Sequence, residues 1–158
     1  MKVSANQQNV TQAVPFFLVT NIKASLKYYV EGLGFQMTNS WIDNGNLRWC
    51  WLEIGDAAIM LQEFRADESG VNTEKNLGEG VEIYFICNDA LTIYNRVTER
   101  GISTSEPFVG NKMWVVGLRD PDGYKITFES PTDIPEETNY IEWIKNKIDN
   151  CEQEGNSD

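Results

Sequence analysis

The sequence predicts an α+β fold built by duplication: a strand, a helix and three more strands occur twice and form a curved mixed sheet around a concave cavity. Three observations predict it. The element order of residues 14–63 returns over 81–129, about 68 residues later, as internal repeats do. In each copy an apolar strand leads into a stretch with helical spacing that ends at glycine, Gly34 and Gly101. Each copy then closes on short alternating segments separated by turn residues.

In the first copy, Val14 to Val19 is β-branched and aromatic and reads as a strand, with Asn21 as cap of the following helix. Leu26, Tyr29, Val30 and Leu33 form the helix's apolar stripe. Phe35 to Trp41 is the next strand, and Asp43-Asn44-Gly45-Asn46 carries the Asn-Gly hairpin signal. Leu47 to Ile54 and Ala57 to Phe64 are strands around Gly55-Asp56. In the second copy Glu82 to Cys87 is a strand, Asn88-Asp89 caps a helix bearing Leu91, Ile93, Tyr94 and Val97, and Ile102 to Phe108 is a short strand. Met113 to Leu118 and Tyr124 to Phe128 flank the Arg119–Gly123 turn. Five segments follow: a disordered arm over 1–13, a module over 14–64, a linker over 65–79, a module over 80–130 and a tail over 131–158. In the tail, Ile141, Ile144 and Ile148 stripe a short helix, with Trp143 beside the stripe and frayed residues from Cys151.

At 158 residues and 41% hydrophobic content the chain has enough apolar material for one compact core. A net charge of −11 argues against a nucleic-acid partner, since phosphate binding needs a basic surface. No apolar run reaches the roughly 18–20 residues of a membrane span. Three cysteines, Cys50, Cys87 and Cys151, without paired spacing read as two buried thiols and one tail thiol, and a polar start without a signal core points to the cytoplasm.

Strand alternation assigns faces. A two-residue Gly55-Asp56 turn pairs Trp51 with Met60 and Trp49 with Gln62, so these four share a face with Glu53. Cys50, Leu52, Ile59 and Leu61 take the face under the helix. In the second module Val81, Ile83, Phe85 and Cys87 lie under the helix, which turns Glu82, Tyr84 and Ile86 to the open face. The open face therefore carries Trp, Tyr, Met and Glu. Such a face is a dimer interface, a second core layer, or a stacking pocket for a flat or cationic organic ligand.

The segments Val14-Pro15-Phe16-Phe17-Leu18-Val19-Thr20-Asn21, Leu33-Gly34-Phe35, Gly80-Val81-Glu82-Ile83-Tyr84-Phe85 and Leu118-Arg119-Asp120-Pro121-Asp122-Gly123-Tyr124-Lys125-Ile126-Thr127-Phe128-Glu129 resemble the vicinal oxygen chelate superfamily, the glyoxalase / bleomycin resistance / extradiol dioxygenase group. The resemblance covers about residues 14–130 and implies two βαβββ modules forming a half-barrel around a cavity. Metal-binding members take one ligand from the first and last strand of each module. Those positions fall here on Val14, Met60, Glu82 and Thr127, and the chain has no histidine. One carboxylate and one hydroxyl do not make a divalent-metal site. We therefore expect no metal and no cofactor. The branch that remains is the bleomycin-resistance type, whose members sequester a cationic aromatic drug as homodimers without chemistry. The resemblance makes the chain a small-molecule binder first, and a lyase or isomerase with a cavity Glu as base second. Expected ligand contacts are Phe16, Trp49, Trp51, Met60, Glu82, Tyr84, Trp114 and Thr127, with Trp114 the least determined, because the longer Asp120–Gly123 turn leaves its face open.

Overall fold

The computed structural model describes residues 10–64 and 77–155. The first module comprises β1 (Phe16–Val19), α1 (Ile22–Leu26), β2 (Gln36–Asp43), β3 (Asn46–Ile54) and β4 (Ala57–Glu63). Helix α1 continues without a break as a π-helix over Lys27–Leu33. The second module comprises β5 (Glu82–Ile86), α2 (Ala90–Glu99), β6 (Phe108–Gly110), β7 (Met113–Arg119) and β8 (Lys125–Pro131), and α3 (Tyr140–Gly155) ends the described chain. The strands form two open four-stranded mixed sheets, ordered β1-β4-β3-β2 and β5-β8-β7-β6. In both, the first strand pairs parallel with the last and the other pairings are antiparallel. The disordered arm expected over 1–13 and the linker over 65–79 lie largely outside the described residues.

Local chemistry fixes the equivalence of the modules. The Asn21 side chain accepts from the Ala24 amide at the start of α1, and Asp89 does the same for Thr92 at the start of α2, each at 3.0 Å. Gly34 stops the first helix at φ 90°, a conformation that costs glycine little. Register completes the match. Phe16 pairs with Met60 and Tyr84 with Thr127, so Phe16 and Tyr84 are counterparts, as are Met60 and Thr127.

The helix-side faces of both sheets share one core. Tyr29, Phe35, Phe85 and Phe128 follow one another edge-to-face and then stacked, with ring centroids 5.3–5.7 Å apart. This chain of rings crosses from the first module to the second. Arg100 donates to the Glu31 and Gly32 carbonyls at 2.9 and 2.7 Å, placing a cation on the C-terminal end of the π-helix.

Three expectations differ from what is observed. No strand runs over Ile102 to Phe108: Thr104 makes a single bridge to Leu118, and β6 starts only at Phe108. The Ser105 amide donates to the Gly117 carbonyl at 2.9 Å and its hydroxyl lies 3.2 Å from the Gly117 amide and carbonyl, but the pairing stops there, and Pro107 has no amide to donate. Helix α3 does not pack through its isoleucines. Tyr140 and Trp143 lie against Trp114 and Tyr94, while Ile141 and Ile148 are exposed. The helix also continues past Cys151 to Gly155. Finally, Val81 is exposed, because β5 begins one residue later, at Glu82.

Candidate ligand-binding faces

The first open face is built from rows that cross the sheet. Phe16, Met60, Trp51 and Asn39 are register partners in one row, and Leu18, Gln62, Trp49 and Trp41 in the next. Alternation makes each row one-sided: Cys50, Leu52, Ile59 and Leu61 on the opposite side are buried. Trp49 and Trp51 are partly buried. The Trp51 indole nitrogen donates to the Glu53 carboxylate at 2.7 Å, which fixes the ring's orientation on the sheet. Trp41 is about half exposed at the outer strand. Burial pushes the Cys50 thiol up to about 11, so it stays protonated beneath the face at neutral pH.

The second open face is more polar. Its middle row runs Tyr84, Thr127 and Gly117, so a glycine stands where the first module has Trp51. A pocket of about 420 Å3 opens there, with Glu82, Ser103, Ser105, Arg119, Lys125 and Thr127 around it. The Thr127 hydroxyl donates to the Glu82 carboxylate at 2.7 Å. Lys125 is the register partner of Glu82, so the pocket holds both signs of charge. Desolvation together with the Glu82 and Glu129 carboxylates raises the Tyr84 phenol above its usual range, which leaves the hydroxyl a donor at neutral pH.

Of the predicted contacts, Phe16, Trp49, Trp51 and Met60 meet on the first face and Glu82, Tyr84 and Thr127 on the second. The two groups do not meet within one chain among the described residues: the polar pocket is lined by the second module alone. Trp114 joins neither. It is 5% exposed, on the helix side with Val116 and Leu118, against Tyr140 and Trp143. The β6–β7 turn sets this, since Val109 pairs with Trp114 and both are buried. Sequence reasoning missed Trp41, Arg119 and Lys125. Lys125 and Arg119 were readable by alternation from Thr127. Trp41 was not, because a bulge between Trp41 and Ile42 shifts it from Arg48 to Trp49.

The four positions that would hold a metal in the resembled superfamily do not fit one. Val14 has no donor, Met60 offers a thioether, and the Glu82 carboxylate and Thr127 hydroxyl are bonded to each other. Among the described residues no three His, Cys, Asp or Glu side chains converge.

The modules are joined on one flank and parted on the other. On the β1 flank, the β7–β8 turn reaches across: Tyr124 stacks on Phe17 with centroids 4.2 Å apart, and its hydroxyl donates to the Leu18 carbonyl at 3.0 Å. Asp122 accepts from the Thr20 amide and hydroxyl at 3.1 and 2.6 Å. Asp120 is 5% exposed and accepts from Tyr29 and from the Tyr124 and Asp122 amides. Burial outweighs those bonds and raises its carboxyl above the usual range. On the β5 flank a cleft of about 800 Å3 remains between the β3–β4 turn, β5 and α2, lined also by Gln12, Ala13 and Pro15 ahead of β1.

Comparison with known proteins matches this geometry to solved folds. UcmS2 superposes with a TM-score of 0.65 at 16% identity, over 77% of this chain and 98% of that one. TnmS3, an antibiotic binding protein from Streptomyces sp. CB03234, superposes with a TM-score of 0.59 at 19% identity, over 77% and 98% of the two chains. TioX from Micromonospora sp. ML1 gives a TM-score of 0.59 at 16% identity, over 79% and 99%. At these identities the likeness is one of fold. No curated protein matches the sequence. The family model for the Glyoxalase/Bleomycin resistance protein/Dioxygenase superfamily matches residues 11–128, most of the chain, and with the paired βαβββ sheets this places the protein in that superfamily.

Proposed function

We propose that this protein is a metal-free binder of a small organic molecule, a cationic aromatic drug or metabolite, held in a site that two copies complete as a homodimer. One observation carries the reading. The chain presents an aromatic face with Trp49 and Trp51 and a polar face with the exposed Glu82, which the buried Thr127 holds from beneath, both faces open and on separate sheets. A two-fold dimer that sets the first face of one copy over the second face of the other brings stacking surface and anchoring carboxylate to one ligand. Ser105 packs over Gly117 itself, and the room on the second face is the pocket of about 420 Å3 beside it. The fold neighbour TnmS3, described as antibiotic binding, supports the ligand class.

In this reading Trp49 and Trp51 stack on the ligand's rings, with Met60 and Phe16 beside them. The faces of the indoles attract positive charge. Glu82 supplies the counter-charge, oriented by Thr127, and Tyr84 donates a hydrogen bond from the rim. The test is calorimetric titration with a panel of cationic aromatics, bleomycin among them, coupled to product analysis. Saturable binding with unchanged ligand supports sequestration. Conversion of the ligand, lost in Glu82→Gln, assigns the chain instead as a lyase or isomerase with Glu82 as base.

A further inference from the structure

Duplication isolates what the second sheet adds to the first. Glu82, Lys125 and Arg119 are register partners in one row across β5, β8 and β7. They stand two residues from Tyr84, Thr127 and Gly117, so they share the open face, and all three line its pocket of about 420 Å3. Two residues from Phe16, Met60 and Trp51, the corresponding row of the first sheet reads Val14, Ala58 and Glu53 and holds no cation. A carboxylate beside two cations therefore belongs to the second face alone. Composition does not account for it, because the chain has 13 Lys and Arg against 24 Asp and Glu.

These charges do not neutralise one another. Among the described residues neither Lys125 nor Arg119 is in an ion pair. Glu82 accepts instead from the Thr127 hydroxyl at 2.7 Å. Arg119 is exposed and donates to the Gly123 carbonyl at 3.3 Å, a long bond that leaves most of its guanidinium donors open. Neighbouring strands lie about 4.8 Å apart, so the backbones of Glu82 and Arg119 stand about 10 Å apart with Lys125 between them. An ammonium and a carboxylate on one carbon, each with a hydrogen bond of about 2.8 Å outward, span that width. A ligand with a cation alone would satisfy Glu82 and face two like charges beside it.

We infer, on the strength of the dimeric site proposed above, that its polar face selects a zwitterion: an aromatic α-amino acid, or a larger molecule with that head group. The ammonium takes the Glu82 carboxylate, and the ligand's carboxylate takes Arg119 and Lys125, each through charge-assisted bonds. The ligand's side chain leaves the row toward Trp49 and Trp51 of the second copy, where its ring stacks. Lys125 and Arg119 thereby set specificity at the end of the site away from the indoles.

The probes are L-tryptophan, tryptamine, which lacks the carboxylate, and indole-3-propionate, which lacks the ammonium, each titrated into the full chain by calorimetry. L-Tryptophan should bind roughly tenfold more tightly than either, or better. In the double variant Arg119→Gln, Lys125→Gln, L-tryptophan should weaken roughly tenfold while tryptamine tightens, because its ammonium no longer faces two like charges. Misfolding would weaken both, so the opposite shifts report the head group. Equal wild-type affinity for L-tryptophan and tryptamine overturns the inference, as does an unchanged L-tryptophan affinity in the double variant or no saturable L-tryptophan binding at all. Tryptamine binding that is lost in Trp51→Ala would still leave the cationic aromatic reading in place in those cases, and failure of the whole cationic panel would remove that reading too.

Discussion

The Tyr124 hydroxyl donates to the Leu18 carbonyl across 3.0 Å, a bond from the last turn of the second module to the first strand of the first. It satisfies an edge-strand carbonyl while the Tyr124 ring covers Phe17 at 4.2 Å. The seam is therefore part of the core, and the modules should unfold together. Tyr124→Phe keeps the ring and loses the bond, which should cost about 1 kcal/mol. Tyr124→Ala opens a cavity as well and should cost about 3–5 kcal/mol, the range for truncating a buried aromatic. Urea denaturation measures both, and a single transition in each variant is expected.

Asp120 gives the same seam a pH dependence. Burial raises its folded carboxyl pKa above the ordinary 3.8. Between the ordinary and the raised value the folded state binds more protons than the unfolded state, so this group's contribution to stability falls as pH rises through that window and is level above it. Asp120→Asn removes the titration. The stability difference between wild type and Asp120→Asn should therefore shift against wild type as pH rises through the window. Melting curves across the acid range check the sign.

Much of this was legible in the residues because the turns fix registers. Gly55-Asp56 allows one pairing of β3 with β4, so the partners of Trp49, Trp51 and Cys50 followed from alternation alone. Helix caps at Asn21 and Asp89 were legible for the same local reason. What escaped was set by tertiary contacts. The bulge that turns Trp41 beside Trp49 leaves no mark in the periodicity. Trp114 goes under Tyr140 and Trp143 because the tail folds back along β6, with the Val109 amide bonding the Thr138 carbonyl at 2.9 Å. The isoleucine stripe of α3 suggested the wrong packing face, since Tyr140 and Trp143 find aromatic partners in Tyr94 and Trp114 while Ile141 and Ile148 stay exposed.

Purified protein should carry no stoichiometric transition metal. The positions that would hold one read Val14, Met60, Glu82 and Thr127, and the last two bond each other. Elemental analysis checks this, and one tightly held metal per chain would mean that other residues supply the ligands.

The solution species should be a homodimer. Phe16, Tyr84 and Ile86 are 46%, 52% and 68% exposed along the first strands of the two sheets, an apolar surface that a second copy would cover. Light scattering should give twice the 18.0 kDa chain mass, independent of concentration over the working range.

The central claim is that the indole face binds an organic ligand, and titration of wild type and Trp51→Ala with the same cationic aromatic tests it most directly. Trp51 is partly buried and lies on the face away from the helices, so the variant should fold with a melting curve close to wild type. Affinity should drop by about 1–3 kcal/mol, the range for a central aromatic anchor. Equal affinity in the two proteins, or a variant that fails to fold, would contradict the account and make Trp51 a residue of structure alone.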